Sequence, residues 1–575
     1  MKFYTSSEAR RLLSEMTVLD SSKAIGAGLM QLLHCSGWCS AKHMTKIISP
    51  LPACGYNYGM DTKVQTHLQP GWVQELLEPD AYPHAVGKIH LIETHISWVF
   101  LTGNFAYKIK KPVDLGFLDF TTLAQRKFFC EEELRLNQRT TGDFYLGVVS
   151  IGMVDGHAKV GSLPAVEYAV HMRQFPPDAR LDRRLAAERV TAEDLRKLAL
   201  LLAAFHTRLT PATGVPPEMA AERASAPALN NFEHIRGSHI SKVSRRQIDR
   251  IRSWTREQAE IMKPVFKQRA ARGFIRECHG DLHLANLFER DGCIYPYDGL
   301  EFDPNLRWID PVSDIAFLVM DLTARGRMDL AYIFLNAWLE ETGDYDGLPV
   351  LRFYLVYRSM VRLKVASIQT RLLHEDARGE HAIKARHYLE LARSLVKKPA
   401  HPRLILMHGL SASGKTHTSA QLITALPGIR VRSDLERKRM HGLPRHHHPA
   451  ADIDSDLYSG TSTDRTYTTL AGVCETGLKA GFNMIVDATF SKRQWRTHFL
   501  DLAHRLNARP AILVCSAPVR TLQARIRQRA AEGLDESDAD PAVLQHQLAH
   551  FEPLDPAEYA VTVKDPNDLA TTRHD

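Results

Sequence analysis

No stretch of this 575-residue chain stays apolar for the roughly 20 residues that a bilayer-spanning helix needs, so no membrane span is expected. The first residues do not read as a secretory leader: Glu8, Glu15 and Asp20 precede the weakly apolar Ala24–Leu33. Cysteine is scarce and scattered, eight in all, and Cys35 and Cys39 stand at the wrong spacing for a zinc knuckle. All eight are expected as reduced thiols in a cytoplasmic protein. Neither sign of charge is in large excess: 73 Lys and Arg against 66 Asp and Glu leave a net +7. That balance suits small anionic ligands but is no footprint for nucleic acid.

What the chain does have is length enough for several cores, and its texture changes along it. Residues 1–60 hold Cys35, Cys39 and Cys54, show no period beyond Ser7–Met16, and read as a poorly ordered N-terminal extension. Met60 with Asp61-Thr-Lys-Val behind it offers a second start, which leaves open whether the extension belongs to the native protein. Residues 61–398 run from strands to helices. Ile96, Trp98 and Phe100 alternate, Thr102-Gly103-Asn104 turns the chain, and Phe105, Tyr107 and Ile109 alternate again. This predicts a hairpin with Lys108 and Lys110 on its other face. A helix is expected over Thr122–Gln138, with Glu131, Glu132 and Glu133 in it, then strands at Leu146–Met153 and Val166–Met172. Thr191-Ala-Glu-Asp194 is a capping-box start for a helix with Leu195, Leu198, Leu202 and Phe205 on one face. Pro399-Ala-His-Pro402 is a stiff joint before a second unit, 399–575.

In that second unit Arg403–His408 reads as a buried strand. After it, Gly409-Leu-Ser-Ala-Ser-Gly-Lys-Thr416 has the G-x-x-x-x-G-K-[ST] spacing of a phosphate-binding loop. Gly409 and Gly414 allow the tight turn that aims backbone N–H groups at phosphate oxygens, with Ser411, Ala412 and Ser413 in the cradle. Lys415 is placed for the β- and γ-phosphates of ATP and the Thr416 hydroxyl for Mg²⁺. The helix over Thr416–Leu426 presents its N-terminus to the anion. Strand Gly428–Arg432 leads to Asp434, at the carboxyl end of a strand and across the crevice from the γ-phosphate, where a base for an acceptor belongs. Asn483–Asp487 is a buried strand ending in an acid, and Asp487 is expected to act on Mg²⁺ through water or on the acceptor. Arg525 and Arg529, after strand Ala511–Cys515, are four apart and share a helix face. Ala560–Val563 is the expected last strand. His441 and His446–His448 have no carboxylate or cysteine at ligand spacing and read as a loop over the acceptor site.

Three pieces of the first unit carry a resemblance. Cys278-His-Gly-Asp-Leu-His-Leu-Ala-Asn286 is followed by Tyr297-Asp-Gly-Leu-Glu-Phe-Asp303 and by Asp310-Pro-Val-Ser-Asp-Ile-Ala-Phe317. Together they resemble the H-G-D-x-H-x-x-N catalytic region of the aminoglycoside-phosphotransferase and choline-kinase family, a relative of H-R-D-x-x-x-x-N in protein kinases. The resemblance runs from about His90 to Lys397 and implies a two-lobed α+β protein-kinase-like domain. It makes Asp281 the group that orients the acceptor hydroxyl and takes its proton, and Asn286 and Asp298 the metal ligands. Asp314 resembles the structural aspartate behind the catalytic loop, Lys108 the lysine on the α/β-phosphates, and Glu133 its helix partner. The chain departs from the family where a glycine-rich loop belongs, since only Gly103 lies between the first two strands. Lys110 competes with Lys108 on one face, and Glu131 and Glu132 compete with Glu133.

The second unit reads as an α/β parallel-sheet P-loop kinase. Asp434-x-x-Arg437 resembles the polynucleotide-kinase, gluconate-kinase and zeta-toxin branch, where the Asp activates the acceptor hydroxyl and the Arg holds an anionic acceptor. A lid helix in that branch brings arginines, here Arg525 and Arg529, onto the transferring group. As a whole the chain resembles bacterial bifunctional aminoglycoside-phosphotransferase-like/ATP-binding proteins. The expectation is a two-domain, ATP- and Mg²⁺-dependent phosphotransferase with two nucleotide sites, acting on hydroxyls of small-molecule acceptors, with no membrane or nucleic-acid partner. Two alternatives stand beside it. One is a regulator whose first unit binds nucleotide without turnover. The other is a nucleic-acid-end kinase, for which the second unit lacks a basic, aromatic-lined groove. Neither acceptor nor the oligomeric state follows from the sequence.

Overall fold

The computed structural model describes residues 70–116, 118–235, 242–372, 375–397, 401–445, 459–532 and 541–563. The expected extension, 1–60, lies outside them. A six-stranded antiparallel sheet opens the fold, from β1 (His90–Glu93), β2 (Ser97–Leu101), β3 (Phe105–Lys110), β4 (Tyr145–Val154), β5 (His157–Val160) and β6 (Ala165–Arg173), in the order β1-β2-β3-β6-β4-β5. The edge strands β1 and β5 have four residues each, too few to print a period, and only the inner strands are legible beforehand. Alternation sorts β3 as expected. Tyr107 and Ile109 join Trp98 and Phe100 in one apolar cluster. Lys108 and Lys110 turn to the opposite face, where α1 (Leu123–Thr141) packs. Thr122 and Gln125 form a reciprocal capping box that starts this helix.

The helical part comprises α2 (Ala192–Arg208), α3 (Pro217–Ile235), α4 (Lys242–Ala271), α5 (Pro311–Ala324), α6 (Met328–Thr342), α7 (Leu348–Leu372) and α8 (Glu375–Leu395). Thr191 and Asp194 cap α2 reciprocally, and its Leu195, Leu198, Leu202 and Phe205 are all buried. Two small ribbons lie between α4 and α5: β7 (Arg276–Glu277) pairs with β10 (Trp308–Ile309), and β8 (Leu287–Arg290) with β9 (Cys293–Pro296). The loop 278–286 is clamped between these ribbons. Sheet first, helices after and a polar loop between them make this half a two-lobed kinase-like α+β fold.

The second half is a five-stranded parallel sheet of β11 (Arg403–His408), β12 (Gly428–Arg432), β13 (Asn483–Asp487), β14 (Arg509–Val514) and β15 (Thr562–Val563), in the order β12-β13-β11-β14-β15. Strands β11, β12 and β13 are buried almost end to end, as a sheet covered on both faces requires. Its helices are α9 (Lys415–Ala425), α10 (Ser433–Met440), α11 (Gly460–Lys479), α12 (Arg493–Arg505), α13 (Val519–Glu532) and α14 (Pro541–His550). The expected last strand is shorter than its sequence suggests, because Pro556–Val561 winds into a 3₁₀ turn and only Thr562–Val563 pair. This is a P-loop kinase fold. Among the described residues no helix is long and apolar enough to cross a membrane.

The proline joint separates the halves in sequence but not in packing: one apolar cluster runs from Leu181 of the first half to Ile512 of the second. The edge strand β12 lies against α6. Asn336 donates to Gly428 O at 2.9 Å and accepts from Arg430 N at 2.6 Å, and Tyr345 Oη donates to Arg430 O at 3.3 Å. Side chains thus satisfy the backbone groups that a neighbouring strand would otherwise pair.

Candidate active sites

The first site assembles on the lysine face of β3. Lys108 Nζ donates to Glu133 Oε1 at 2.9 Å and to Asp298 Oδ1 at 2.5 Å. Lys110 Nζ donates to Glu133 Oε2 at 2.8 Å and also reaches Glu301. Glu133 therefore bridges both lysines, while Glu131 faces out beside Lys127 and Glu132 pairs with Arg135 and Arg307. Burial would raise the Glu133 carboxyl, but the two lysines pull it down to about 2. Glu301 goes the other way, raised by burial in spite of Lys110. Of the two carboxylates on Lys110, Glu133 is thus the one held firmly ionised.

Opposite this cluster lies the loop 278–286. Asn286 Nδ2 donates to Asp281 Oδ2 at 2.9 Å and to Asp281 O at 3.1 Å, which leaves its carbonyl oxygen unspent. Asp281, whose side chain is 35 % exposed, also faces His283 Nε2 at 3.4 Å. Burial opposes its ionisation, but His283 and Arg362 hold it well below the ordinary carboxylate range. Asp298 has φ 58°, a left-handed conformation that Asp tolerates, and its N–H is held by Tyr145 Oη at 3.2 Å. Tyr297 N donates to Asn286 O at 3.0 Å, which ties the Asp298 turn to the loop. Behind the loop, buried Asp314 accepts His279 N at 3.0 Å and Gly280 N at 2.9 Å. His206 Nε2 lies 3.2 Å from Asp314, and Trp338 Nε1 donates to His206 Nδ1 at 3.2 Å. His206, Cys278 and Asp314 are close enough to suggest a metal centre. Each instead has a protein partner, with the Cys278 thiol donating to Ile309 O.

The second site lies at the carboxyl ends of β11, β13 and β12. Gly409 has φ 149°, and a Cβ there would stand 2.1 Å from Cys515 O, so only glycine lets the chain pass. Gly414, φ 100°, caps α9. Lys415 curls over the loop and donates to Leu410 O at 2.7 Å. The Ser413 hydroxyl is buried with no partner among the described residues, which fits a cradle for phosphate oxygens. Asp487 ends β13 and accepts from Ser419 Oγ at 3.1 Å. Arg430 spans the halves: Nε donates to Glu340 Oε1 at 2.7 Å, and Nη1 reaches Ser419 Oγ at 3.3 Å. Arg525 donates to Ala412 O at 3.0 Å, and Gln547 accepts Ser411 N at 2.9 Å, so α13 and α14 both touch the loop. The Arg529 side chain lies outside what is described. Asp434 sits on the first turn of α10 and accepts from Arg432 at 2.9 Å. The register pairs Arg432 with Asp487, so Asp434 and Asp487 share one sheet edge. The charge of Arg437 is felt at Tyr467. His441 meets Ser462 Oγ at 3.0 Å, and His446–His448 lie outside the described residues. The first site offers carboxylate and amide oxygens and the second carboxylate and hydroxyl oxygens, hard donors that suit Mg²⁺.

Sequence reasoning misses Glu301, His206, Arg430 and Ser419. Glu301 carries a weak signal, three residues after Asp298, but the partners of the others are 11 to 132 residues away in the chain.

A family model described as an AAA domain matches residues 404–554, which hold the phosphate loop and β11–β14. Uncharacterized proteins of Mycobacterium tuberculosis and Mycobacterium bovis are each 30% identical over 466 residues, 81% of this chain and 91% of the relative. That stretch is longer than either half, so it crosses the joint. Among solved structures, a Plasmodium vivax ethanolamine kinase is similar over 54% of this chain and 84% of its own, at 11% identity and TM-score 0.34. A gluconokinase from Sinorhizobium meliloti is similar over 30% of this chain and 89% of its own, at 18% identity and TM-score 0.20.

Proposed function

The chain belongs to the same family as these mycobacterial proteins, and from that premise we propose that it is an ATP- and Mg²⁺-dependent phosphotransferase with two nucleotide sites, each serving a small-molecule alcohol. The observation that carries this reading is the convergence of Lys108, Glu133, Asp281, Asn286 and Asp298 from separate segments onto one cleft. In the first site Asp281 orients the acceptor hydroxyl and receives its proton as the new O–P bond forms and the bond to the β-phosphate oxygen breaks, releasing ADP. Its depressed pKa suits a group that stays ionised and aligns the alcohol until the proton is freed late. Lys108, fixed by Glu133, takes the α/β-phosphates. In the second site Ser411–Thr416 cradle the phosphates, Lys415 leaves Leu410 O for the γ-phosphate, and Arg525 neutralises charge on the transferring group. Asp434 serves as acceptor base there, with Arg437 and Arg529 on anionic groups. Mg²⁺, held by Asn286 and Asp298 in the first site and by Thr416 and Asp487 in the second, neutralises phosphate charge when bound. We place this chemistry in the cytoplasm, where ATP is supplied and thiols such as Cys293 stay reduced.

The test uses the full-length protein with radiolabelled ATP and a metabolite pool. Asp281→Asn removes one set of labelled products and Asp434→Asn another. If Asp281→Asn leaves every product in place, the first half is not a working kinase and the regulator reading replaces this one.

A further inference from the structure

The edge strand β12 carries Arg430 inside a covered sheet, where a cation has to be matched. Glu340, on α6 of the first half, matches it: Arg430 Nε donates to Glu340 Oε1 at 2.7 Å, and both side chains are buried. That pair uses only part of the guanidinium, which has five N–H donors. Its Nη1 faces the phosphate loop, 3.3 Å from Ser419 Oγ and 3.5 Å from Thr416 O. Ser419 lies on α9, three residues after Thr416, and is completely buried.

The hydroxyl of Ser419 has one proton and two acceptors within reach, Thr416 O at 3.0 Å and Asp487 Oδ2 at 3.1 Å. Inside a helix, a serine ordinarily gives that proton to a carbonyl of the preceding turn. Arg430 Nη1 changes the choice. It has two hydrogens, one for the lone pair of Ser419 Oγ and one for Thr416 O. The hydroxyl proton is thereby turned to Asp487, where it holds one carboxylate oxygen in place. Asp487 and Thr416 are the groups assigned above to Mg²⁺ at the phosphate loop. A chain of polar groups thus runs Glu340, Arg430, Ser419, Asp487, and its first member belongs to the other half. All four are at most 9% exposed, so bulk water does not stand in for a missing member.

We propose that Glu340 and Arg430 are positioning residues of the second site: through this chain the first half sets the Asp487 carboxylate, and with it the magnesium dependence of nucleotide binding at the phosphate loop. This rests on the phosphate-loop reading above, and the test separates the two. ATP is titrated calorimetrically into the full-length protein, once with Mg²⁺ and once with EDTA. The binding step that Lys415→Ala removes is assigned to the second site, and the readout is the ratio of its two affinities. Loss of a group that orients a metal ligand costs about 10–100-fold in metal affinity. Ser419→Ala and Arg430→Lys are therefore each expected to lower the ratio at least about tenfold, almost wholly through the Mg²⁺ titration. Lysine ends in a single nitrogen and cannot hold Glu340 and Ser419 together as Arg430 does. Ser419→Ala leaves the ion pair intact and is expected to fold even where Arg430→Lys does not. Glu340→Gln lowers the ratio in the same direction, and combined with Ser419→Ala it lowers it no further than Ser419→Ala alone. Tyr345→Phe, which removes the bond to Arg430 O at 3.3 Å from the same interface, leaves the ratio unchanged. Equal weakening with and without Mg²⁺, an unchanged ratio in Ser419→Ala or Glu340→Gln, or a matching drop in Tyr345→Phe overturns the proposal. A wild type with no Lys415-dependent step sinks the phosphate-loop reading itself, and the proposal with it.

Discussion

Replacing Glu133 by Gln keeps the shape of the side chain and removes its charge. Glu133 is fully buried, as is Lys110, and Lys108 is 13% exposed at its side chain, so solvent cannot make up the loss. Two charge-assisted bonds, at 2.9 and 2.8 Å, are weakened together. At the lower bound of about 1.5 kcal/mol each they account for about 3 kcal/mol, inside the range of about 3–5 kcal/mol for breaking a buried pair. Asp298 and Glu301 remain on the two lysines, which favours the lower end of that range. The assay is urea unfolding of the wild type and the variant, with Glu131→Gln as the control. Glu131 is 54% exposed and stands 3.9 Å from Lys127, so its loss is expected to cost no more than about 0.5 kcal/mol. pH gives a second readout. The folded pKa of Glu133 is depressed to about 2 from 4.5, so its contribution is complete above pH 4.5 and is lost as pH falls towards 2. Gln mimics the protonated acid, so the gap between wild type and variant narrows over that window. A Glu133→Gln variant within about 1 kcal/mol of the wild type at pH 7 would refute the reasoning.

Gly409→Ala is expected to lower stability by about 2–3 kcal/mol and to abolish nucleotide binding at the phosphate loop, because its Cβ would collide with Cys515 O. Gly460→Ala, with nothing within 4 Å of the added carbon, is the neutral comparison in the same calorimetric scan. Arg430→Ala and Glu340→Ala are each expected to cost about 3 kcal/mol by leaving the partner charge buried. The double variant costs less than the sum, and a cycle measured in urea returns a coupling of about 0.5–3 kcal/mol.

Features set by neighbouring residues are legible in the sequence. The 278–286 loop and the 409–416 loop each gather their candidate site residues in a short run of sequence, so the spacing alone marks them out. Capping boxes at Thr122 and Thr191 are equally local. What stays hidden depends on which way a face points. Glu131, Glu132 and Glu133 lie at successive rotations of about 100° on one helix, and only the position of β3 selects Glu133. Lys108 and Lys110 are indistinguishable by period two, and what separates them is depth: Lys110 closes on Glu301, 191 residues later, while Lys108 reaches Asp298 at the mouth of the cleft. Arg430 reads as a stray charge inside a buried strand until Glu340 of the other half is brought beside it.

The way Asn336 and Tyr345 occupy the rim of β12 bears on whether the halves can be taken apart. A polypeptide beginning at the joint would leave Gly428 O and Arg430 N bare along a flat border, the kind of margin on which a second molecule can add a strand. A polypeptide ending there would uncover the side of α6 that now meets β12 and α9, and would strand the Glu340 carboxylate without its arginine. Fusion of the two kinase-like halves is thus part of how each keeps its buried polar groups paired.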